Sequence, residues 1–489
     1  MLFPAFMPNG RDKNAEQHRR RFVTVGVVAG KGRRMPRRRW LGLTATLLLA
    51  TAVGACSSAG GASANVRSTA LARELAGAMG PPDTSRLPIL FIHGNLGSGD
   101  LFETQAQRFT SNGYPTDRIA AFDWDASRPA SPREKSFPQL DAEIQHLLAA
   151  TGMKKIDMVG QSEGAELAQK YLASSPERAA RVAHLVSLDG EQIFNAPKGV
   201  PMLVVWGGGD PSRRINGAVN IRFLEQERDG LTTSTETFRQ MFRFLTGADP
   251  LTTDVTPDSA RIELAGRALL FPANAPVGDA RLEVYRVDPK TGRRAPDGLQ
   301  ALLKIGADGS WGPVRADGTA SYEFAIVRTG EPVHHFYYQP FQRSDRLIRL
   351  LTSAPDKELG GGMTADAGQT DLVVDRGLEW WGDQGDASDI LTVDNTNVIT
   401  ATNMPRAKLA NSIYIFDRGS DHASDVATPI PAYFQIGFIT GVDLSIPSGD
   451  RSLAVALTPR GQTAKRTVLA VPALPSKTDR LTLHFRTDP

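Results

Sequence analysis

The stretch Gly160-Gln161-Ser162-Glu163-Gly164 constrains this chain more than any other. It follows a mostly apolar run, Ile156–Val159, and precedes a helical pattern, Ala165–Leu172. Glycines on either side of the serine let a strand turn sharply into a helix. That G-x-S-x-G geometry lifts the serine hydroxyl above the edge of a sheet. A hydroxyl is a weak nucleophile at neutral pH and needs a base, normally a histidine oriented by a carboxylate. The base is expected after the last strand of the sheet. No histidine occurs between His184 and His334. The motif points to attack on an ester, and the chain lacks the usual residue to activate it.

The surrounding pattern fits such a sheet. Apolar segments at Pro88–Ile92, Ile119–Phe122, Lys155–Val159, Val182–Leu188, Met202–Trp206 and Val219–Leu224 alternate with helical segments near Leu101–Ser111, Leu140–Thr151, Glu163–Ser174 and Thr235–Leu245. Near-continuous apolar strands alternating with helices predict an α/β domain over 81–250, with a mostly parallel sheet covered on both faces. Thr233-Ser234-Thr235-Glu236 reads as a capping box for the last helix. Beyond about residue 255 the period changes to two. Arg281–Val287, Ala320–Val327, Ile413–Phe416, Leu453–Leu457 and Arg480–Phe485 read as strands separated by turn residues. An all-β sandwich or barrel, or two of them, is expected over 255–489. Gly360-Gly361-Gly362 marks a loop between subdomains, and Ala126–Phe137 and Glu191–Val200 are candidate lids.

At 489 residues the chain can build two or three cores, and its net charge is +3. Residues 1–39 hold eleven Lys/Arg against two Asp/Glu, which leaves about −6 on the remainder. No basic stripe survives there, so nucleic acid is not an expected partner. Arg37-Arg38-Arg39, the uncharged stretch Trp40–Ala55 and Val53-Gly54-Ala55-Cys56 read as an export signal with a lipobox ending at the only cysteine, Cys56. Arg38-Arg39-Trp40-Leu41-Gly42 also fits a twin-arginine signal. The alternatives are an uncleaved anchor, for which sixteen residues are short, and a buried helix. Residues 1–56 are thus read as leader and signal, with 1–34 open to being an upstream start, and 57–80 as a tether carrying a short helix, Ala70–Ala78. The expectation is an exported protein held at the cell envelope through lipidated Cys56.

Ser162 is the candidate nucleophile. His93-Gly94-Asn95 follows the first strong strand, and the amides of Asn95 and Glu163 are the candidate oxyanion donors. His93 is read as a structural histidine of that turn. Asp189 ends the strand Val182–Leu188 and Asp210 ends the following one; both come after the serine and are candidates for the triad acid. His146 and His184 read as packing residues. Asp417, Asp421 and Asp425 share a loop whose spacing fits no calcium motif, so no metal and no cofactor is expected.

Together these residues resemble the lipase family typified by the lipase of the archaeon Archaeoglobus. The likeness runs from about Leu87 to the C-terminus. It includes Phe91-Ile92-His93-Gly94, Phe109 to Gly113, Val182-Ala183-His184, Leu188-Asp189-Gly190, Thr233 to Phe238, Met241-Phe242 and Phe244. In the second half it includes Tyr337-Tyr338, Pro340-Phe341 and Phe416-Asp417-Arg418-Gly419. The resemblance implies an α/β-hydrolase domain followed by a β domain that helps shape an acyl-chain site, with acyl esters or lipids as substrates. It carries Ser162 over as nucleophile and Asp189 as triad acid. The family's histidine falls five residues before the T-S-x-E-x-F segment, and this chain has Arg228 there. A guanidinium offers five donors and no acceptor, so it cannot take the serine proton. Gln161 stands where histidine is frequent, and Glu163 places a carboxylate beside the oxyanion site. A replacement base is open among Glu225, Glu227, Asp229 and the histidines of the β domain, His334-His335 first. The alternative is a hydrolase scaffold that binds lipids or esters without meaningful turnover.

Overall fold

Alternating strands and helices between residues 89 and 246 assemble one parallel sheet in the computed structural model. The structure describes residues 82–127, 133–191, 193–258, 261–353, 363, 365–462 and 464–487. The signal with Cys56, the tether, the Ala70–Ala78 helix, Gly360-Gly361-Gly362, and the centre of the Ala126–Phe137 segment lie outside them. The strands are β1 (Ile89–Ile92), β2 (Ile119–Phe122), β3 (Ile156–Gln161), β4 (Val182–Leu188), β5 (Met202–Trp206) and β6 (Val219–Arg222), in the order β2-β1-β3-β4-β5-β6. All neighbours are parallel. The helices are α1 (Glu103–Thr110), α2 (Phe137–Thr151), α3 (Glu163–Ser174), α4 (Pro176–Ala180), α5 (Gly230–Thr233) and α6 (Thr235–Thr246).

Strand side chains alternate between two cores. Leu90 and Ile92 of β1 pack with Ile144 of α2 and Leu167 and Tyr171 of α3. Ile89 and Phe91 pack with Phe109 of α1 and Phe238 and Phe242 of α6. Helices on both faces explain why the strands read as continuous apolar runs. Three local expectations shift. The last strand stops at Arg222, on the edge of the sheet, where Val219 is already exposed. Leu101–Ser111 opens as a 3₁₀ turn, Gly99–Phe102, before α1. At α6 the N-cap is Ser234, whose hydroxyl accepts the Thr237 N–H at 3.0 Å. Thr233 is taken up by α5, so Glu236 falls one position early for a capping box and accepts from Gln226 instead.

The second half is built around one eight-stranded mixed sheet. The C-terminal strand Asp479–Phe485 lies in its middle, parallel to Val333–Tyr338 on one side and Leu372–Arg376 on the other. A smaller sheet covers each half. Strands Arg261–Phe271, Ser310–Asp317 and Asp345–Ser353 enclose one core, and Ile390–Val393, Ser452–Thr458 and Thr467–Pro472 enclose the other. The result is a double sandwich joined through a shared layer.

Buried charge ties the two halves together. Asp123, fully buried, accepts from Arg349 Nε at 2.9 and 3.0 Å and pairs with Arg267 at 3.2 Å. Buried Arg343 donates to the Thr110 carbonyl at 3.0 Å. Arg349, Arg343 and the Asp123 carboxylate are buried, so breaking these contacts would leave charge without a partner. Among the described residues no helix is long and apolar enough to cross a membrane.

Candidate active site

Ser162 ends β3 and caps α3 with φ 52° and ψ −120°. A non-glycine residue held at positive φ costs of order 1–3 kcal/mol and persists only where its surroundings enforce it. Here they do. A methyl group at Gly160 would lie 2.6 Å from the Ala165 Cα, and one at Gly164 would overlap the Ile92 carbonyl oxygen. Both glycines therefore permit α3 to pack directly against β1 and β3. Ser162 lies at the positive end of α3, whose first N–H groups have no partner within the helix. Glu163 opens α3 directly after it, and the Gly94-Asn95 turn packs against it from β1. Gly94 packs on the Gln161 carboxamide, and a Cβ there would be 3.0 Å from the Ser162 Cβ.

His93 is fully buried beneath that turn. Its Nδ1 meets the Gly94 carbonyl at 2.8 Å, so this nitrogen carries the proton. Nε2 accepts the Trp124 N–H and the Asn274 side-chain amide, both at 3.2 Å. Burial lowers its pKa and keeps the ring neutral. Both nitrogens brace the turn rather than face the serine. The Glu163 carboxylate turns to Arg133, 2.9 Å away, which offsets its charge beside the oxyanion site. Burial still raises the Glu163 pKa.

Asp189 follows β4 at φ 45° and donates its N–H to Val205 at 2.9 Å. Its Oδ1 accepts from Arg213 Nη1 at 2.8 Å, and Arg213 also donates to the Gly190 carbonyl at 2.6 Å. The Arg213 guanidinium stacks over Trp206. Asp189 Oδ2 lies 4.0 Å from Arg228 Nε. The structure thus brings Arg228 next to Asp189, with no imidazole between the acid and the serine. Asp210 is elsewhere. It is exposed in a turn and accepts the Ser212 N–H at 2.8 Å, a bond that lowers its pKa.

Among the described residues nothing hydrogen-bonds the Ser162 hydroxyl. The histidines are committed elsewhere. His184 faces Asp157 at 2.8 Å. His334 sits between Thr352 and Thr482, and His335 between Glu323 and Asp479. Glu227 pairs with Arg406 at 2.6 Å. Asp229 is buried and accepts from Gln161 Nε2 at 3.3 Å and Asn411 Nδ2 at 3.2 Å. Its own N–H donates to the Glu379 carboxylate at 2.7 Å. Burial, with Glu379 adding repulsion, pushes Asp229 up to about 8. Sequence reasoning missed Arg213, Glu379, Arg406 and Asn411. The last three come from the β domain, more than a hundred residues from the loop they hold, and no local pattern marks them.

Between the Leu96–Leu101 turn and the β domain lies a cavity of about 150 Å³. Leu96, Phe271, Leu351, Val373, Tyr414 and Leu481 supply apolar wall. Among the described residues no group of three or more His, Cys, Asp or Glu could hold a metal. Asp417, Asp421 and Asp425 each accept a backbone N–H within their own loop, from His422, Ala423 and Ala427.

Family models match in the order of the fold. Residues 88–235 match the alpha/beta hydrolase fold, and residues 260–355 match the lipase C-terminal domain. The chain carries an α/β-hydrolase domain and a lipase C-terminal domain. A further C-terminal-domain model matches residues 358–488 of this hydrolase-fold protein. Solved structures similar to it include a predicted hydrolase from Thermoplasma acidophilum, at 15% identity over 34% of this chain and 89% of that one, with a TM-score of 0.27. A monoacylglycerol lipase from Paleococcus ferrophilus is 12% identical over 33% and 96%, with a TM-score of 0.26. Naproxen esterase from Bacillus subtilis is 13% identical over 34% and 85%, also with a TM-score of 0.26.

Proposed function

We propose that this hydrolase-fold protein acts on carboxylic (acyl) esters through an acyl-enzyme at Ser162. The observation that carries this reading is the Ser162 elbow itself, held at φ 52° beside the Asn95 turn. Attack by the serine oxygen would place the ester's carbonyl oxygen toward the amides of Asn95 and Glu163, which are oriented before charge develops. Asp189 is the acid of the set. The cavity against the β domain takes the acyl chain, and Leu96 in its wall adjoins Asn95. Arg228 makes turnover slow. Removing one member of a serine triad costs on the order of 10⁴–10⁶ in rate, and oxyanion stabilisation with substrate binding supplies what remains.

A second reading rests on the 4.0 Å approach of Arg228 to Asp189. In it the scaffold binds acyl ligands and turnover has been lost. Hydrolysis of short and long p-nitrophenyl esters by the full-length protein, Ser162→Ala and Arg228→His separates the two. Slow hydrolysis that disappears in Ser162→Ala supports the enzyme. An inert parent that gains activity in Arg228→His supports the binder.

We also propose that the protein is exported and lipid-anchored at Cys56, on the strength of the Arg37-Arg38-Arg39 and Val53-Gly54-Ala55-Cys56 pattern. Mass spectrometry of the membrane fraction tests this. An unmodified Cys56 in a secreted or uncleaved chain would sink it.

A further inference from the structure

The charges around Ser162 balance pair by pair until Arg228 is reached. Glu163 is compensated by Arg133, Asp189 by Arg213 and Glu227 by Arg406. Burial pushes Asp229 up to about 8, so it carries little charge at neutral pH. Among the described residues Arg228 forms one ion pair, the 4.0 Å approach to Asp189, whose other oxygen already accepts from Arg213 at 2.8 Å, and its charge also acts at longer range on Glu163 and Asp229. Its nearest aromatic neighbour, Phe438, is 5.8 Å from the guanidinium carbon. The side chain is 33% exposed, and none of its N–H groups makes a hydrogen bond to a described residue. A charged fork of donors is thus left open at the position where the family places a base.

The serine turn touches the neighbours of Arg228 and Asp189: the Ser162 N–H donates to the Leu188 carbonyl at 2.9 Å, and Gln161 donates to Asp229 at 3.3 Å. The Ser162 hydroxyl has no partner among the described residues, and the first amides of α3 end beside it. The cavity borders the neighbours of Arg228 and of the serine turn rather than the groups themselves. Its wall includes Leu96, which follows Asn95, and Asn411, which is bonded to Asp229 next to Arg228. An ester presents one carbonyl oxygen and no charge. A carboxylate presents two oxygens and a full charge, which suits a guanidinium together with backbone amides.

We infer that this site recognises the free carboxylate of an acyl chain in preference to its ester, with Arg228 as the recognition residue. One carboxylate oxygen meets the Arg228 fork and the other meets the serine and the turn amides, while the chain enters the cavity. This rests on the reading that the site takes acyl groups. It holds whether or not esters turn over, and it predicts product retention if they do.

The test is isothermal titration of the full-length protein at pH 7 with laurate, methyl laurate and dodecanol. Laurate is expected to bind about tenfold or more tighter than the other two, the scale of one charge-assisted hydrogen bond. Arg228→Gln should erase that preference and leave methyl laurate unchanged. Arg228→Lys, which keeps the charge without the fork, should retain part of it, and Ser162→Ala should retain most of it. The melting temperature of each variant shows that it is folded. Equal binding of laurate and methyl laurate, or a preference that survives Arg228→Gln, overturns the inference while leaving the acyl-site reading in place. No binding of any of the three overturns both.

Discussion

The two sides of the Ser162 site are built by different means. The nucleophile side is local. Its turn, the two glycines and α3 fall within residues 160–174, and the close packing at the glycines leaves no space for a Cβ. The acid–base side is assembled from Asp189, Arg213 and a loop at 225–229 held by Glu379, Arg406 and Asn411. Close packing of backbone against backbone tolerates little change, because no rotamer can relieve it. A loop held by side chains can exchange a histidine for an arginine and keep its course. On the proposed reading, this contrast lets the serine turn persist without a histidine base.

The sharpest way to break it is to restore the missing chemistry. Arg228→His alone leaves Asp189 bonded to Arg213. The double variant Arg213→Gln, Arg228→His frees the carboxylate to orient the new imidazole. General-base catalysis typically contributes 10²–10⁴-fold. Initial rates on p-nitrophenyl butyrate should rise on that scale in the double variant, by less in Arg228→His, and not at all when Ser162→Ala is added. If the double variant stays inert, the nucleophile side is not intact.

Rigid packing is the next target. Gly164→Ala forces a methyl group against the Ile92 carbonyl. Overpacking of a rigid contact costs about 1–3 kcal/mol, which calorimetry would read as a lower Tm. Arg349→Met leaves Asp123 buried without its main partner, and breaking such a pair costs about 3–5 kcal/mol. That loss should match or exceed the glycine effect and should loosen the two domains. A Gly164→Ala protein with an unchanged Tm would remove the contrast between the two sides.

Much of the first domain was legible in sequence because its determinants are local. Continuous apolar strands and the glycine turn identify the sheet and place Ser162. Arg228 follows from the family resemblance, five residues before Thr233, and not from a local pattern. The β domain was legible only strand by strand. That Asp479–Phe485 would sit mid-sheet, parallel to two distant strands, depends on pairings that no local period encodes. The grip of Glu379 and Asn411 on Asp229 was invisible for the same reason.

That grip makes a smaller prediction with a definite sign. Asp229 titrates at about 8 in the folded protein and near 3.9 when unfolded. The folded state therefore binds the extra proton, and its stabilising effect is present below about pH 4 and lost as pH rises toward 8. One such group contributes a slope of at most about 1.4 kcal/mol per pH unit. Asp229→Asn should flatten the decline in Tm between those limits. An unchanged slope would mean that burial and the Glu379 charge do not shift the carboxyl.

The smallest effect separates the two candidate acids. Asp189 holds Arg213 and stands beside Arg228, whereas Asp210 is exposed and holds only the Ser212 N–H of its own turn. Asp189→Asn removes the negative charge between two guanidiniums, so it should weaken the site and lower any activity gained in the Arg213→Gln, Arg228→His background. Asp210→Asn in that same background should leave ester turnover and Tm unchanged, because the asparagine oxygen can still accept the Ser212 N–H. If Asp210→Asn instead cost the restored activity, the new imidazole would be oriented from the end of β5 rather than β4, and the acid side would have moved along the sheet while the nucleophile stayed fixed.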